Sequence, residues 1–242
     1  MKVIKLEVAD STNSWVAQHE NEILPAPVMV YCHTQCAGRG QRGNSWESEP
    51  GKNITASLLF YPHEFPASTQ FTISECIALA ICEFLAEAGV DAKVKWPNDI
   101  YVGDQKICGI LVEHVVTGKF ITRTIAGFGI NINQTEFRSS APNPVSLSML
   151  TGKHYDIGEC LEKLAAILEK YLEKLSSPEY LHQNFLSTLW RNDNRYYKFF
   201  DPKRGMEFEG KIHGVNIGGI LTLRTHEGEL REFAFKEVEH II

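Results

Sequence analysis

The chain has 242 residues, of which 43% are hydrophobic and 22% charged, so it can fold either as one domain or as one domain with a small appendage. Its net charge of −6 argues against a dedicated nucleic-acid-binding protein, which usually carries a basic excess. The sequence has no signal peptide and no apolar run of membrane-spanning length, and its six cysteines lack disulfide-framework or CxxC spacing. We therefore expect a protein of the reducing cytoplasm without a membrane partner.

Predicted strands and helices alternate irregularly along most of the chain. Asp10, Ser11 and Thr12 offer capping oxygens for a helix that runs to about His19. Asp156 and Glu159 have the spacing of another helix start. Apolar runs and alternation predict strands over residues 3–8, 28–32, 54–60, 94–96, 100–102, 107–116 and 121–132. An apolar stripe predicts a helix over 73–85. Because several strands follow one another directly, the pattern favours an α+β domain over a doubly wound one.

The residue pattern of the sequence changes after Trp190, where short β-like runs are separated by turns that contain glycine and charged residues. These runs cover 206–212, 219–224 and 230–235, a spacing typical of a small SH3-type barrel. We place the boundary near Asn192, which predicts a main domain over 1–191 and a small domain over 192–242.

A long polar segment over 33–52 contains the sequence GRGQRG at 38–43. This matches GxGxxG, but the residues that follow do not begin a helix, so a dinucleotide-binding turn is excluded. Glycines permit close backbone approach to a ligand, and Arg39 and Arg42 supply fork-shaped donors for phosphate or carboxylate. The segment is therefore either an anion clamp or a surface turn with two solvated arginines.

Two further segments carry polar groups suited to a nucleotide. In KWPND, residues 95–99, Asn98 and Asp99 either close an Asx turn or offer oxygen atoms to Mg²⁺ and a ribose. Lys106 is either an edge charge or a fixed cation opposite a phosphate. The glycine-rich strand 127–133 contains Asn131, and marks either a close backbone approach to a ligand or a bulge.

These motifs occur in an order that resembles the biotin protein ligase family. DSTN at 10–13, AGRGQRG at 37–43, KWPND at 95–99 and GILVE at 109–113 follow one another across nearly the whole chain. The resemblance implies an α+β catalytic domain with a mixed sheet, of the biotin/lipoate ligase type, followed by a small SH3-like β-barrel.

The resemblance also implies roles for individual residues. Lys106 and Arg39 match catalytic positions, and Gln41 departs from the family pattern because some members carry a further arginine there. The positions that match biotin contacts are Ser11, Thr12, Asn13, Gln35, Arg39, Gly40, Gln41 and Lys106. Those that match the ATP side are Arg42, Trp46, Asn98, Asp99 and Asn131.

The implied reaction uses ATP and Mg²⁺ as co-substrates and biotin as substrate, without a tightly bound prosthetic group, and no residue is assigned as a protein ligand of a metal. Biotinyl-5′-adenylate would form first, and a lysine of a biotin carboxyl carrier domain of acetyl-CoA carboxylase would then receive biotin. Too few residues precede Ser11 for a helix-turn-helix domain, so we expect no DNA partner. A homodimer remains open.

Two other functions are compatible with parts of the sequence. A lipoate or octanoate ligase or transferase shares the general fold, although the pairing of GRGQRG with KWPND favours biotin. A non-catalytic nucleotide- or nucleic-acid-binding module is the second alternative, against which the acidic net charge argues. A protein kinase is excluded because the chain contains neither an HRD-type catalytic loop nor a DFG motif.

Overall fold

A computed structural model of the protein describes residues 1–138 and 143–242, except for the side chain of Arg42. The larger of its two sheets contains β1 (Lys2–Ala9), β2 (Val28–Gln35), β3 (Ile54–Phe60), β4 (Phe65–Pro66), β5 (Lys93–Lys95), β6 (Asp99–Val102), β7 (Gln105–Thr117) and β8 (Phe120–Ile130). The helices are α1 (Thr12–Ile23), α2 (Phe71–Glu87), α3 (Leu147–Thr151), α4 (Ile157–Glu173) and α5 (Pro178–Thr188). None of these helices is long and apolar enough to cross a membrane.

The large sheet is mixed, as predicted. Its strand order is β1-β2-β3-β8-β7-β6-β5, with β4 added beside β8. β1 and β2 are parallel, whereas the other pairs are antiparallel. The strands predicted over 100–102 and 107–116 fall within β6 and β7, which form a hairpin that turns at Gly103, whose φ of 58° suits glycine. The α+β class is thus confirmed.

The two faces of this sheet differ because strand side chains alternate. Along β3, Ile54, Ala56 and Leu58 join the main hydrophobic core. Thr55 and Ser57 point to the other face, and both are buried. That second face carries a smaller core, in which Val16 of α1 packs against the sheet. The sequence of β3 therefore separates an apolar face from a polar one that can hold a ligand.

Helices α2, α4 and α5 pack together on the apolar face. Asp156 caps α4 by accepting a hydrogen bond from the Glu159 backbone N–H at 2.9 Å, which confirms that predicted helix start. The predicted capping at α1 is wrong: Ser11 is the N-cap residue, but its side chain makes no capping hydrogen bond. This helix also continues four residues beyond His19, to Ile23.

The second sheet is antiparallel and has the order β12-β11-β10-β9-β13. Its strands are β9 (Tyr197–Asp201), β10 (Met206–Val215), β11 (Leu221–Thr225), β12 (Leu230–Phe233) and β13 (Glu239–His240). The predicted boundary near Asn192 falls between α5 and β9. The buried Trp96 joins the two sheets, because its indole N–H donates to the Gly219 carbonyl oxygen at 2.9 Å.

Candidate active site

A cavity of about 580 Å³ lies on the polar face of the large sheet. Its walls come from the start of α1, the loop after β2, the turn after β5, the strands β3, β7 and β8, and residues 236–240. Most of the residues implied by the resemblance line this one space: Ser11, Thr12, Asn13, Gln35, Arg39, Gly40, Gln41, Trp46, Asn98, Asp99 and Lys106. Segments far apart in sequence thus meet in one elongated site.

One end of the cavity is a buried polar network at the start of α1. The Gln35 side-chain oxygen accepts from the Thr12 backbone N–H at 3.0 Å. The Ser57 hydroxyl lies 2.7 Å from the Thr12 Oγ1 atom and 2.5 Å from the Asn13 Oδ1 atom. The Asn13 amide N–H groups donate to Glu113 Oε2 at 2.7 Å and to the Leu111 carbonyl at 3.2 Å. These bonds fix the side chains before a ligand arrives.

The position of Gly127 on β8, beside this network, leaves no room for a side chain. A Cβ atom built on it would lie only 2.2 Å from Asn13 Oδ1, far inside contact distance. The glycine-rich strand thus marks a close approach by a side chain of its own chain. The sequence left open whether the glycine reflected a ligand or a bulge; it makes room for Asn13.

The GRGQRG loop folds back on itself as a short hairpin over the cavity. The Gly40 N–H donates to the Asn44 carbonyl at 2.6 Å, and the Trp46 N–H donates to the Gly38 carbonyl at 2.9 Å. Arg39 reaches across to β7, where its two terminal nitrogens donate to the Glu113 carboxylate at 3.2 and 3.0 Å. This fork-shaped pair fastens the loop to the sheet.

Trp46 lies against the middle of the sheet, where two glycines make space for its indole ring. A Cβ on Gly129 would lie 2.2 Å from the ring, and one on Gly109 would lie 3.0 Å from it. The indole nitrogen is buried and has no hydrogen-bond partner among the described residues. The ring therefore packs closely on the backbone at these two glycines, and a planar aromatic ligand could stack against it.

Beyond Trp46, the cavity wall carries a close ion pair. The Lys106 ammonium nitrogen lies 2.7 Å from Asp99 Oδ1, and both side chains are mostly buried. It also lies 5.8 Å from the centre of the Trp46 ring. Asn98 is held in place by its neighbours on β7, since its amide donates to the Ile110 carbonyl at 2.8 Å. The KWPND turn is thus a rigid support for Asp99.

One implied ATP-side residue does not line the cavity. Asn131 is buried, and its amide N–H donates to the Val145 carbonyl at 3.0 Å. Its Oδ1 atom has no partner among the described residues. The side chain of Arg42 lies outside the described part of the structure, although its backbone belongs to a 3-10 turn at Gln41–Gly43.

Sequence reasoning missed several residues of the site. Glu113 belongs to the GILVE motif. Because it lies two residues after Leu111, the two side chains share one face of the strand, and this spacing could have identified Glu113 as a site residue. Ser57 is also central, but nothing in its strand motif distinguishes it. At the other end, the C-terminal segment contributes Lys236, Val238, Glu239 and His240. Among the described residues, no group of three or more His, Cys, Asp or Glu side chains could hold a metal ion.

The fold and this site together resemble those of known acyl-activating ligases. Residues 6–131 match the Biotin/lipoate A/B protein ligase family, which is more than half of the chain. The bifunctional ligase/repressor BirA of Escherichia coli is 35% identical over 245 residues, covering 93% of this chain and 75% of that protein. The chain therefore belongs to the biotin/lipoate A/B protein ligase family.

Two further similarities concern proteins named for biotin. The biotin–[acetyl-CoA-carboxylase] ligase of Paracoccus denitrificans is 30% identical over 161 residues, covering 64% of this chain and 66% of that protein. A solved structure of the biotin protein ligase from Aquifex aeolicus in complex with biotin and ATP superposes with a TM-score of 0.80. It is 25% identical, and the match covers 99% of each chain.

Proposed function

We propose that this protein is a biotin protein ligase that forms biotinyl-5′-adenylate from biotin and ATP and transfers biotin to a lysine of a carrier protein. The observation that carries the proposal is the continuous cavity, which joins a buried polar pocket at Thr12 to the Lys106–Asp99 pair beneath a glycine loop. The match to a ligase solved with both biotin and ATP supports the same pair of substrates.

In this proposal the polar end of the cavity binds biotin. Ser11, Thr12, Asn13 and Gln35 would hydrogen-bond the ureido ring, because hydroxyl and amide groups can both donate to and accept from it. Their fixed positions favour binding, since little side-chain freedom is left to lose. From the loop, Arg39, Gly40 and Gln41 would hold the biotin carboxylate and its side chain.

ATP would occupy the cavity from Trp46 to Asp99. Trp46 would stack on the adenine, and Asn131, whose buried Oδ1 atom has no partner among the described residues, would lie on the side of the same base. Arg42, Asn98 and Asp99 would surround the ribose and phosphates. Mg²⁺ commonly binds through one or two carboxylates together with substrate phosphates, and Asp99 is the carboxylate suited to it. When bound, Mg²⁺ would offset phosphate charge.

The chemistry follows from these positions. A biotin carboxylate oxygen attacks the α-phosphorus of ATP, and the bond to the β-phosphate breaks, releasing pyrophosphate. Lys106 and Arg39 would stabilise the charge that develops on the phosphate and carboxylate oxygens. Arg39 would exchange Glu113 for the ligand, so the loop would then be fastened through the ligand and would exclude water from the mixed anhydride. The acceptor lysine then attacks the acyl carbon, and AMP leaves.

Several finer features belong to the same proposal. The acceptor would be a biotin carboxyl carrier domain of acetyl-CoA carboxylase, and no DNA would be bound. The antiparallel C-terminal sheet would be the SH3-like barrel of the family, with the domain boundary near Asn192. A reducing cytoplasm is the proposed location, which agrees with six cysteines that form no disulfide. A homodimer is compatible with the proposal but not required by it.

Biotin-dependent ATP–pyrophosphate exchange on the purified protein tests this function. Exchange that requires biotin, with none from lipoate or octanoate, is the expected result. Exchange with lipoate or octanoate but not with biotin would support the proposed adenylation and show that the substrate is a different acid. Absence of exchange with all three acids would reject the proposal.

A further inference from the structure

Ser57 of β3 lies behind the polar end of the cavity. It is fully buried, it does not line the cavity, and it belongs to none of the segments that carry the resemblance. Its hydroxyl nevertheless contacts two residues of the cavity wall, since it lies 2.7 Å from Thr12 Oγ1 and 2.5 Å from Asn13 Oδ1. A hydroxyl has a single hydrogen, so Ser57 can donate to only one of these two oxygens.

The orientation of the Asn13 amide determines which oxygen receives that hydrogen. The amide nitrogen lies 2.7 Å from Glu113 Oε2 and 3.2 Å from the Leu111 carbonyl oxygen. Because a carboxylate and a carbonyl only accept, both amide hydrogens point to them, and Asn13 Oδ1 is turned toward Ser57. An amide oxygen has no hydrogen of its own. The hydrogen in the 2.5 Å contact therefore comes from Ser57, since two oxygens so close without one would repel each other.

The direction of the Thr12 hydroxyl is fixed in turn. Ser57 has given its one hydrogen to Asn13, so the hydrogen in the 2.7 Å contact between the two hydroxyls comes from Thr12. Gln35 Oε1 is a weaker alternative acceptor, because it lies 3.4 Å from Thr12 Oγ1 and already accepts the Thr12 backbone N–H at 3.0 Å. Thr12 lines the cavity, and its hydroxyl can therefore accept a hydrogen bond there but not donate one.

We propose that Ser57 is a positioning residue that makes this end of the cavity selective for a ligand N–H. The inference rests on the proposed function, in which the ureido group of biotin lies against Thr12. That group has two N–H donors, and one of them would donate to Thr12 Oγ1. The rings and chains of lipoate and octanoate have no N–H group, so either acid would leave the buried Thr12 oxygen without a partner. A site built in this way rejects such analogues strongly.

Two isomeric carbamate analogues of biotin test the direction of this hydrogen bond. In each isomer, one ring N–H of the ureido group is replaced by an oxygen atom, so the size is almost unchanged while a donor becomes an acceptor. In one isomer the ring oxygen would face the lone pairs of Thr12. The wild-type KM for that isomer should exceed the KM for biotin by about 10- to 100-fold, the effect of leaving a buried acceptor unpaired.

The variant Ser57→Ala removes the oxygen to which Thr12 donates, so the Thr12 hydroxyl becomes free to rotate and to donate to a ligand. The KM for biotin should rise by about 3- to 10-fold, while the KM for the rejected carbamate should stay constant or fall. The ratio of the two constants should therefore decrease by about tenfold. Ser57→Thr keeps the hydroxyl and should keep the wild-type ratio.

Thr124→Val is the matched control. It also removes a buried hydroxyl, which lies 2.9 Å from His114 Nδ1 on the neighbouring strands. Thr124 is paired with Phe60 of the main core, on the apolar face of the sheet, and it does not line the cavity. This variant should therefore keep the wild-type ratio of KM values, whatever its effect on the melting temperature.

ATP–pyrophosphate exchange with biotin and with each carbamate gives all of these constants. A folded Ser57→Ala variant with the wild-type ratio would overturn the proposal. An equal rise of every KM would also overturn it, because Ser57 would then serve only to maintain the fold. The wild type provides a test that no folding defect can obscure, since equal KM values for biotin and both carbamates would refute the selectivity. Failure of the wild type to exchange with biotin would instead reject the proposed function.

Discussion

Replacing Gly127 with alanine tests whether the polar network at the start of α1 holds biotin. The new Cβ atom would lie 2.2 Å from Asn13 Oδ1 and 2.9 Å from its Cγ atom, so Asn13 has to move. Movement breaks its bonds to Glu113 and to the Leu111 carbonyl. Together these contribute about 2–4 kcal/mol, since one of them involves a charged acceptor.

That loss would lower the melting temperature by about 4–16 °C in a chain of this size. Because Asn13 is proposed to bind the ureido ring, the KM for biotin should rise by about 10- to 100-fold, the equivalent of one lost hydrogen bond. The KM for ATP should change by less than about threefold, because the Trp46 region is separate. ATP–pyrophosphate exchange, titrated with each substrate in turn, measures both constants.

Gly214→Ala is the control for a glycine in a strand. A Cβ on Gly214 would meet no atom within 4 Å, so both KM values should match those of the wild type. A folded Gly127→Ala variant with an unchanged biotin KM would refute the assignment of Asn13. A larger effect on ATP than on biotin would show that the order of the two subsites is reversed.

Three further predictions address the middle of the site and the core. Gly129→Ala should raise the KM for ATP by about tenfold, measured by exchange, because its Cβ would lie 2.2 Å from the Trp46 ring. Lys106→Ala should slow biotin-dependent exchange by about 100- to 1000-fold, the usual effect of losing one charge-stabilising group. Glu75→Gln should raise the melting temperature near pH 8, because burial raises the pKa of Glu75 to about 7.

The sign of the last effect follows from proton binding. Since the folded state holds the Glu75 proton more tightly than the unfolded state, stability falls as pH rises from about 4.5 to 7. The melting temperature of the wild type, plotted against pH, should show this decline, and Glu75→Gln should flatten it; parallel plots for the two proteins would contradict the prediction.

An unchanged ATP KM in Gly129→Ala would contradict stacking of the adenine on Trp46. Full exchange activity in Lys106→Ala would contradict the role of Lys106 in stabilising charge.

The parts of the fold that depend on local pattern could be predicted from sequence. The apolar run at residues 54–60 predicts a strand, and β3 has these bounds. The helix α5 was missed, because its apolar stripe is weak and interrupted by polar residues. The two-residue strand β13 was missed because so short a segment has no period; its position depends on pairing with β9.

The candidate site divides in a similar way. Arg39, Asp99 and Lys106 could be proposed because their motifs are distinctive in type and order, and the structure brings these residues into one cavity. Their roles remain predictions. The presence of Lys95 and His240 in one cavity could not be predicted from sequence, since they lie 145 positions apart and the packing of the second sheet brings the C-terminal segment to the cavity wall. Asn98 lines the cavity, and its side-chain amide also anchors the turn by donating to the Ile110 carbonyl.

The hydrogen bond from Trp96 to Gly219 has a consequence for protein engineering. The indole joins the KWPND turn to the second sheet, and residues 236–240 complete the wall of the cavity. The two sheets therefore cannot be exchanged between homologues as independent modules, because a graft that lacked the matching 216–219 turn would leave the indole N–H unsatisfied. Conversely, substitutions at Lys236, Val238, Glu239 or His240 would alter this wall of the cavity while every recognisable motif stays unaltered.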